Sequence, residues 1–274
     1  MKAIVREDRT VSTSGASLVP ALDQISEFRT ISDVARNNFD QPYGAYGRTR
    51  RLVCEATGTR IVIDYRPRFR NLASMRVAVI PDDVIGSQRP ELDRILAAFE
   101  PYELAIVEIA VDFPTPTGLT AAYVRRHVKF GKSRPRRNRR FARAAWLGAP
   151  GSARFLRCYY KQEIRSFRVE GQFNRPYLKN HKINTPDDFP RLAALLAKDL
   201  GFYEVDWSTV KRYAKRHLRY PDVMVRMMWD RRRNLSEMLS WLRAVVPNSN
   251  QFLVPMSINS EIRNALNRWS EEWK

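Results

Sequence analysis

Cysteine is nearly absent from this sequence, which has only Cys54 and Cys158 in 274 residues. Two cysteines cannot build the disulfide framework of a small secreted domain, and they are too few for a thiolate zinc site. We therefore expect both to be small core residues, and the sequence gives little support for redox chemistry.

Long apolar runs are also missing. No run approaches the roughly 20 residues that a helix needs to span a bilayer, and the N-terminus, MKAIVREDRT, lacks the apolar stretch of a secretory signal. The sequence therefore predicts a cytoplasmic protein without a membrane-spanning part. A membrane-surface role would favour a basic amphipathic helix, but most of the excess positive charge lies elsewhere.

Acidic residues are scarce relative to basic ones. The 29 Asp and Glu stand against 48 Lys and Arg, which gives a formal net charge of +19, and no acid occurs between Asp112 and Glu163. This excess is greater than solubility requires and favours a polyanionic partner, with DNA as the first expectation. Ten of the nineteen residues from 125 to 143 are basic, and we expect them to contact phosphates: Arg125, Arg126, Lys129, Lys132, Arg134, Arg136, Arg137, Arg139, Arg140 and Arg143.

The apolar pattern predicts an α/β (α+β) protein with a largely antiparallel sheet flanked by helices. Alternation on both sides of Gly58 predicts a hairpin over 51–65. Further strands are predicted at Met75–Ile80, Leu104–Phe113, Ala153–Lys161 and Arg165–Phe173. Helical spacing predicts helices near 91–99, 119–128, 190–200, 208–220, 234–246 and 260–273, with Ser208 or Thr209 as a cap.

These patterns divide the chain into three predicted regions. Residues 1–30 mix Ser, Thr and charges without a sustained period and are expected to form a tail or a loosely docked arm. Residues 31–178 are predicted to form the α/β domain. Residues 179–274 are predicted to form a C-terminal helical subdomain.

The predicted strand 104–113 carries two acids, Glu108 and Asp112, on one face. They would lie about 13 Å apart, so one ion could not bind both unless the strand bends. A carboxylate inside an apolar strand needs a cation, either a metal or an arginine. Asp112, at the strand end, is the better placed metal ligand, and for Glu108 the two alternatives carry equal weight.

A second constellation lies on the predicted hairpin of 153–173. Arg157, Tyr159 and Lys161 share one face of its first strand, with Tyr160 on the other face, and pairing would bring Glu170 close. A phenol, cations and carboxylates on one face can cleave a phosphodiester, because the tyrosine attacks and the cations offset the developing charge. From spacing alone we favour the alternative of a structural hairpin with packed tyrosines and paired charges.

A resemblance to a known family favours the phosphodiester-cleaving site over the structural hairpin. The segments IVEIAVD, WLGAPGSARFLRCYYKQE and FRVEGQF occur in the order of the motifs of the Rep_trans family, the rolling-circle replication initiators of plasmids and filamentous phages and the related relaxases of conjugative elements. The acidic-strand motif is matched by Glu108 and Asp112, and the "R-x-E" strand by Arg168 and Glu170. The middle motif is matched by Gly148, Ser152, Arg157, Tyr159 and Lys161.

The resemblance implies a fold related to the Rep and relaxase HUH endonucleases, without their paired histidines. It implies a DNA endonuclease whose tyrosine becomes linked to a 5′-phosphate, with a divalent cation, Mg²⁺ or Mn²⁺, held by Asp112, Glu170 and Glu108. Tyr159 is the expected nucleophile because it lies two residues before Lys161, although the adjacent Tyr160 leaves that choice open. Arg157 and Lys161 would stabilise charge.

Two other functions stay open. A catalytically silent relative would bind DNA in replication or copy control with the same surface, and a basic RNA-binding module would bind folded RNA without cutting it. Besides origin or transfer-origin DNA, we consider a host helicase and a second copy of this chain as partners, and we expect no membrane.

Overall fold

The computed structural model describes most of the chain as mixed antiparallel strands and helices. The residues described are 2–8, 27–35, 46–70, 75–80, 89–99, 102–114, 119–131, 135–136, 144–149, 151–217, 219, 225–226 and 249–273. The strands are β1 (Lys2–Asp8), β2 (Phe28–Ala35), β3 (Tyr46–Cys54), β4 (Arg60–Pro67), β5 (Met75–Ile80), β6 (Glu103–Pro114), β7 (Val128–Phe130), β8 (Pro135–Arg136), β9 (Ala144–Leu147), β10 (Arg154–Lys161), β11 (Ser166–Asn174), β12 (Leu200–Val205) and β13 (Leu253–Pro255). The α-helices are α1 (Arg89–Ala97), α2 (Ala121–His127), α3 (Arg175–Asn180), α4 (Phe189–Asp199), α5 (Trp207–His217) and α6 (Ile258–Glu272).

The chain divides into two compact units that do not follow the predicted regions. Unit 1 comprises residues 1–110, 172–192 and 269–274, and unit 2 comprises residues 111–171 and 193–268. Strands β6 and β11 contribute residues to both units. Each unit is therefore assembled from segments that are distant in the sequence.

Unit 1 is built on strands in the order β2-β3-β4-β5-β1-β6. The predicted hairpin forms β3 and β4, which pair from Tyr46↔Pro67 to Val53↔Arg60 around Gly58, whose φ is 69°. β5 has the predicted bounds. Helix α1 begins two residues before its predicted start and buries Leu92, Ile95 and Leu96, the stripe that its periodicity indicated.

The prediction of a tail over residues 1–30 is wrong for the segments that the structure describes. Lys2–Asp8 forms β1, which pairs with β5 from Val5↔Val79 to Asp8↔Arg76 and with β6 from Lys2↔Ala110 to Asp8↔Glu103. Phe28, also assigned to the tail, starts β2. Pairing with strands more than 60 residues away stabilises β1, and no local pattern reveals such partners.

β6 forms as predicted, one residue longer at each end. Its side chains are buried on both faces, including Leu104, Val107, Ile109 and Val111. A nearly continuous apolar run is typical of a strand covered on both faces.

Unit 2 holds the end of β6 and a strand order of β6-β11-β10-β9-β8. β10 and β9 pair antiparallel from Leu156↔Leu147 to Tyr159↔Ala144. β10 and β11, at 154–161 and 166–174, lie within one residue of the predicted strands Ala153–Lys161 and Arg165–Phe173. Cys158 is buried in this unit and Cys54 in unit 1, as expected for small core residues.

The predicted C-terminal helical subdomain is only partly helical. Its β12 pairs with β7, Leu200↔Phe130 to Phe202↔Val128, and with β13, Tyr203↔Pro255 to Val205↔Leu253. The side chain of Asn259, near the start of α6, donates to the Phe202 carbonyl and accepts from its N–H, each at 2.7 Å. Residues 193–268 therefore belong to the same unit as residues 119–131, and the predicted boundary at 178 would separate them.

Helices α4, α5 and α6 confirm three predicted helices, and the predicted helix 234–246 lies outside the described residues. The cap of α5 is Asp206 rather than Ser208 or Thr209. Its carboxylate accepts from the Thr209 N–H at 3.0 Å and from both hydroxyls at 2.6 Å, and these bonds hold the pKa of Asp206 below its usual range. No helix in the described ranges is both long and apolar enough to cross a membrane.

Candidate functional site

The candidate site lies on one face of the β10–β11 hairpin in unit 2. A single 3₁₀ turn, Gln162–Ile164, joins the strands, and Arg165 closes it in the left-handed conformation with a φ of 47°. So short a connection between neighbouring strands requires antiparallel pairing. Side chains alternate along each strand, so Arg157, Tyr159 and Lys161 share the face that receives Arg168 and Glu170.

Glu170 is the centre of this face. Its side chain is buried, and its Oε2 accepts a hydrogen bond from the Tyr159 hydroxyl at 3.1 Å. Its Oε1 accepts from the Arg157 guanidinium, which also forms an ion pair with it. A buried carboxylate needs such partners because desolvation penalises its charge.

Asp112, at the end of β6, pairs with Arg168. The Arg168 Nε donates to Oδ1 and its Nη2 to Oδ2, both at 2.7 Å, in a bidentate geometry. Arg168 is only 2% exposed and is among the largest fully buried side chains of the described residues. A buried guanidinium is tolerated when a carboxylate matches its planar fork, so this pair fixes the end of β6 against β11.

The environment of Tyr159 keeps its hydroxyl protonated. Burial and the negative charge of Glu170 raise the pKa of Tyr159 above its ordinary value, and the positive charges of Arg168 and Arg157 oppose this only in part. The phenol therefore donates its proton to a carboxylate that is positioned to accept it. The positive charges of Arg168 and Arg157 would stabilise negative charge on this oxygen.

The other two predicted catalytic residues differ in placement. Lys161 lies on the Tyr159 face at the end of β10 and is half-buried. Tyr160 is the next residue of β10, lies on the opposite face and is 45% exposed. A regular strand cannot turn two adjacent side chains to one face, so Tyr160 lies away from Glu170.

The three predicted ligands for Mg²⁺ or Mn²⁺ are carboxylates with different surroundings. A carboxylate ligand must direct an oxygen at the ion, whereas both oxygens of Asp112 accept from Arg168, and those of Glu170 accept from Arg157 and Tyr159. Glu108 is buried in the part of β6 that belongs to unit 1. As arranged, Asp112 and Glu170 do not fit a divalent cation unless an arginine moves away.

In the described part of the chain, no three His, Cys, Asp or Glu side chains group as a metal site. The histidines instead repeat one structural motif, each packing against a tyrosine four residues earlier: Tyr123–His127, Tyr177–His181 and Tyr213–His217, with ring centroids 4.3 to 4.4 Å apart.

The basic segment is only partly described. The Arg125 guanidinium donates to the Ala144 carbonyl at 3.2 Å, Arg126 is exposed, and the Lys129 ammonium lies 6.0 Å from the centroid of the Tyr203 ring. The backbone of Arg136 belongs to β8. The remaining predicted phosphate contacts lie outside the described residues: Lys132, Arg134, Arg137, Arg139, Arg140 and Arg143.

Sequence reasoning overlooked a second basic surface, on α5. Its buried side consists of Val210 and Ala214, and its exposed side carries four cations without an acid: Lys211, Arg212, Lys215 and Arg216. The signal was present in the sequence, because no acid occurs between Asp206 and Asp222. Four cations on one helix face form a surface suited to phosphates; we call it the α5 basic face.

Comparison with known proteins identifies no family for this chain, since no protein-family model and no curated protein matches it. The family resemblance and the roles assigned to its motif residues therefore stay predictions.

Proposed function

We propose that this protein binds DNA and cuts one strand with Tyr159 as the nucleophile. The observation that carries the proposal is the hydrogen bond of the Tyr159 hydroxyl to buried Glu170, on a sheet face that also holds Arg157 and Arg168. Nucleophile, proton acceptor and cations are the groups that a phosphotyrosine transfer requires.

The proposed reaction is a phosphoryl transfer. The Tyr159 oxygen attacks the phosphorus as its proton passes to Glu170, and the bond from phosphorus to the 3′ oxygen breaks. The products are a 5′-phosphotyrosine link and a 3′-hydroxyl, whose oxygen takes up a proton. Arg157 and Arg168 offset charge on the phosphate oxygens in the transition state. Because the carboxylates do not fit a cation as arranged, no step is assigned to a metal.

The charge distribution supports DNA as the substrate. The net charge is +19, and both the segment from Arg125 to Arg143 and the α5 basic face are basic without acids. We therefore propose a role in rolling-circle replication initiation or as a relaxase, in the cytoplasm, with a fold related to the Rep and relaxase HUH endonucleases. Antiparallel pairing around a tyrosine-bearing strand is compatible with that fold.

Cleavage is tested on supercoiled plasmids that carry fragments of the DNA flanking the protein's own gene. The reaction is run with Mg²⁺, with Mn²⁺ or with EDTA, and products are separated with and without protease to reveal protein attached to a 5′ end. Wild type is expected to nick and stay attached. Tyr159→Phe should lose both while keeping DNA affinity within a few-fold, since one hydroxyl contributes about 1 kcal/mol to binding.

Tyr160→Phe is the matched control, because it removes the adjacent hydroxyl from the opposite face, and it should stay active. An adduct formed by Tyr159→Phe but not by Tyr160→Phe would reverse the assignment. Nicking in the presence of EDTA would show that the reaction does not require the predicted divalent cation.

A silent DNA-binding role is the second candidate. It is favoured by the two arginine pairs, which occupy the carboxylates that a metal-dependent nuclease would need. Tight binding of the flanking DNA without nicking or adduct under any ion condition would support it. Preference for folded RNA over DNA in direct competition would instead support an RNA-binding module.

A further inference from the structure

An exposed phenylalanine lies among arginines where the chain leaves β4 in unit 1. Phe69 is 60% exposed, and Arg66 and Arg70 are exposed beside it in the segment Arg66-Pro67-Arg68-Phe69-Arg70. No acid occurs between Asp64 and Asp82. We call residues 66–70 the basic aromatic segment.

A single exposed apolar residue is ordinary on protein surfaces, so exposure alone does not single out Phe69. Two further features distinguish Phe69: the exposed cations beside it and the unfavourable backbone conformation of Arg66. Arg66 adopts a φ of 59°, a conformation that residues other than glycine rarely take. Arg66 lies at the end of the β3–β4 pair, where Tyr46 pairs with Pro67. Backbone strain of this kind clusters at binding sites.

We propose that the basic aromatic segment binds single-stranded DNA, with Phe69 stacking on an unpaired base and Arg66 and Arg70 contacting the adjacent phosphates. Aromatic rings flanked by cations bind single strands in this way, because every base has a face on which a ring can stack and every nucleotide has a phosphate. Charge complementarity favours this occupant. The proposal goes beyond strand cleavage and can hold whether or not Tyr159 cuts DNA, since it concerns binding alone.

The test measures binding of fluorescein-labelled oligothymidine by fluorescence anisotropy, beside an abasic oligomer of equal length that has phosphates but no bases. Phe69→Ala should weaken oligothymidine binding roughly tenfold or more. Its binding of the abasic oligomer should equal that of wild type. Phe69→Tyr, which keeps an aromatic ring, should retain the oligothymidine affinity of wild type.

Arg70→Ala separates the two kinds of contact. It should weaken binding of both oligomers and reduce the salt dependence, since a phosphate contact is lost whether or not bases are present. Ile31→Ala is the matched control for exposed apolar surface, because Ile31 is 54% exposed on β2, and it should change neither affinity.

Several outcomes would overturn the proposal. One is unchanged oligothymidine binding by Phe69→Ala, and another is an equal loss on both oligomers. Tighter binding of oligouridine than of oligothymidine would exclude DNA as the preferred strand. An effect of Phe69→Ala confined to vesicles of anionic phospholipid would assign the segment to a membrane surface. These experiments measure binding and not cleavage. If the binding proposal for Phe69 fails, the reaction of Tyr159 can still be tested separately.

Discussion

At the scale of single residues, the candidate site depends on buried charges that are paired. Arg168 and Glu170 are both almost fully buried, and each has an oppositely charged partner on the same sheet face, Asp112 and Arg157 respectively. Removing one partner of such a pair leaves a buried charge whose desolvation is uncompensated. Removal of either partner in these pairs is therefore expected to lower stability.

The Asp112–Arg168 pair gives a prediction of this sensitivity. Asp112→Ala should lower the free energy of unfolding by about 3–5 kcal/mol, because Arg168 stays buried without its carboxylate. The double variant Asp112→Leu/Arg168→Met should recover most of the loss, since it buries no charge. Urea denaturation of wild type and both variants measures the difference. Equal stabilities for Asp112→Ala and wild type would show that water or another carboxylate compensates Arg168.

Tyr159 should make stability depend on alkaline pH. Burial and Glu170 raise its pKa in the folded state, so from the unfolded pKa of about 10 upwards the folded protein holds a proton that the unfolded chain has lost. This contribution to stability is complete below the unfolded pKa and is lost as pH rises towards the folded pKa. The loss of unfolding free energy above pH 10 should be shallower in Tyr159→Phe than in wild type.

Glu170→Gln provides the companion measurement. It removes the negative charge that helps to keep the Tyr159 phenol protonated, so the same alkaline slope should become shallower while the tyrosine is retained. A wild-type slope in both variants would contradict the interpretation of the Tyr159 environment.

At the scale of elements, α5 has a buried apolar face and an exposed basic face. Val210 packs with Phe252, and Tyr203, Trp207 and Tyr213 lie against this cluster. The opposite side carries the α5 basic face, and the Asp206 cap supports the first turn. The packing and the cap therefore fix the backbone that carries these cations.

Replacement of Lys215 and Arg216 by Ala should weaken DNA binding and flatten its salt dependence. Each lost phosphate contact should reduce the slope of the double-logarithmic salt plot by about 0.9 on duplex DNA. The matched control is Arg263→Ala/Arg268→Ala, which removes two exposed cations from α6, a helix that also carries Glu261, Glu271 and Glu272. An equal effect of the two double variants would point to net charge rather than to the α5 basic face.

The segment from Arg125 to Arg143 can be tested in the same plot. Replacing Arg136, Arg137, Arg139 and Arg140 by Ala removes four of its ten cations, so the slope should flatten further than with the α5 variant. A plot that coincides with that of wild type would show that this segment does not contact phosphates.

At the scale of the whole molecule, the N-terminal strand β1 is an inner strand of the sheet in unit 1. β1 pairs with β5 on one side and β6 on the other. A proline in such a strand removes a ladder hydrogen bond. Val5→Pro should therefore lower the melting temperature markedly, whereas Val5→Ile, which keeps the N–H and a β-branched side chain, should not. A melting temperature for Val5→Pro within experimental error of wild type would mean that β1 contributes little to the stability of the protein.

Local patterns determined much of the structure and part of the site. β5, β6 and α1 follow from alternation and helical spacing, and the shared face of Arg157, Tyr159 and Lys161 follows from the two-residue period of a strand. The same two-residue period places Tyr160 on the opposite face. Charge counting locates the segment from Arg125 to Arg143, and the same rule locates the cations of α5, since no acid occurs between Asp206 and Asp222.

Three features were decided only by the tertiary structure. β1 exists because two distant strands offer it backbone partners, and β12 exists because β7 and β13 do. The choice of cation at Asp112 and Glu170 was open in the sequence, where metal and arginine were both compatible with a carboxylate in an apolar strand. Which arginine reaches which carboxylate depends on the order of β6, β11 and β10 in the sheet, because neighbouring strands bring together side chains that are distant in the sequence.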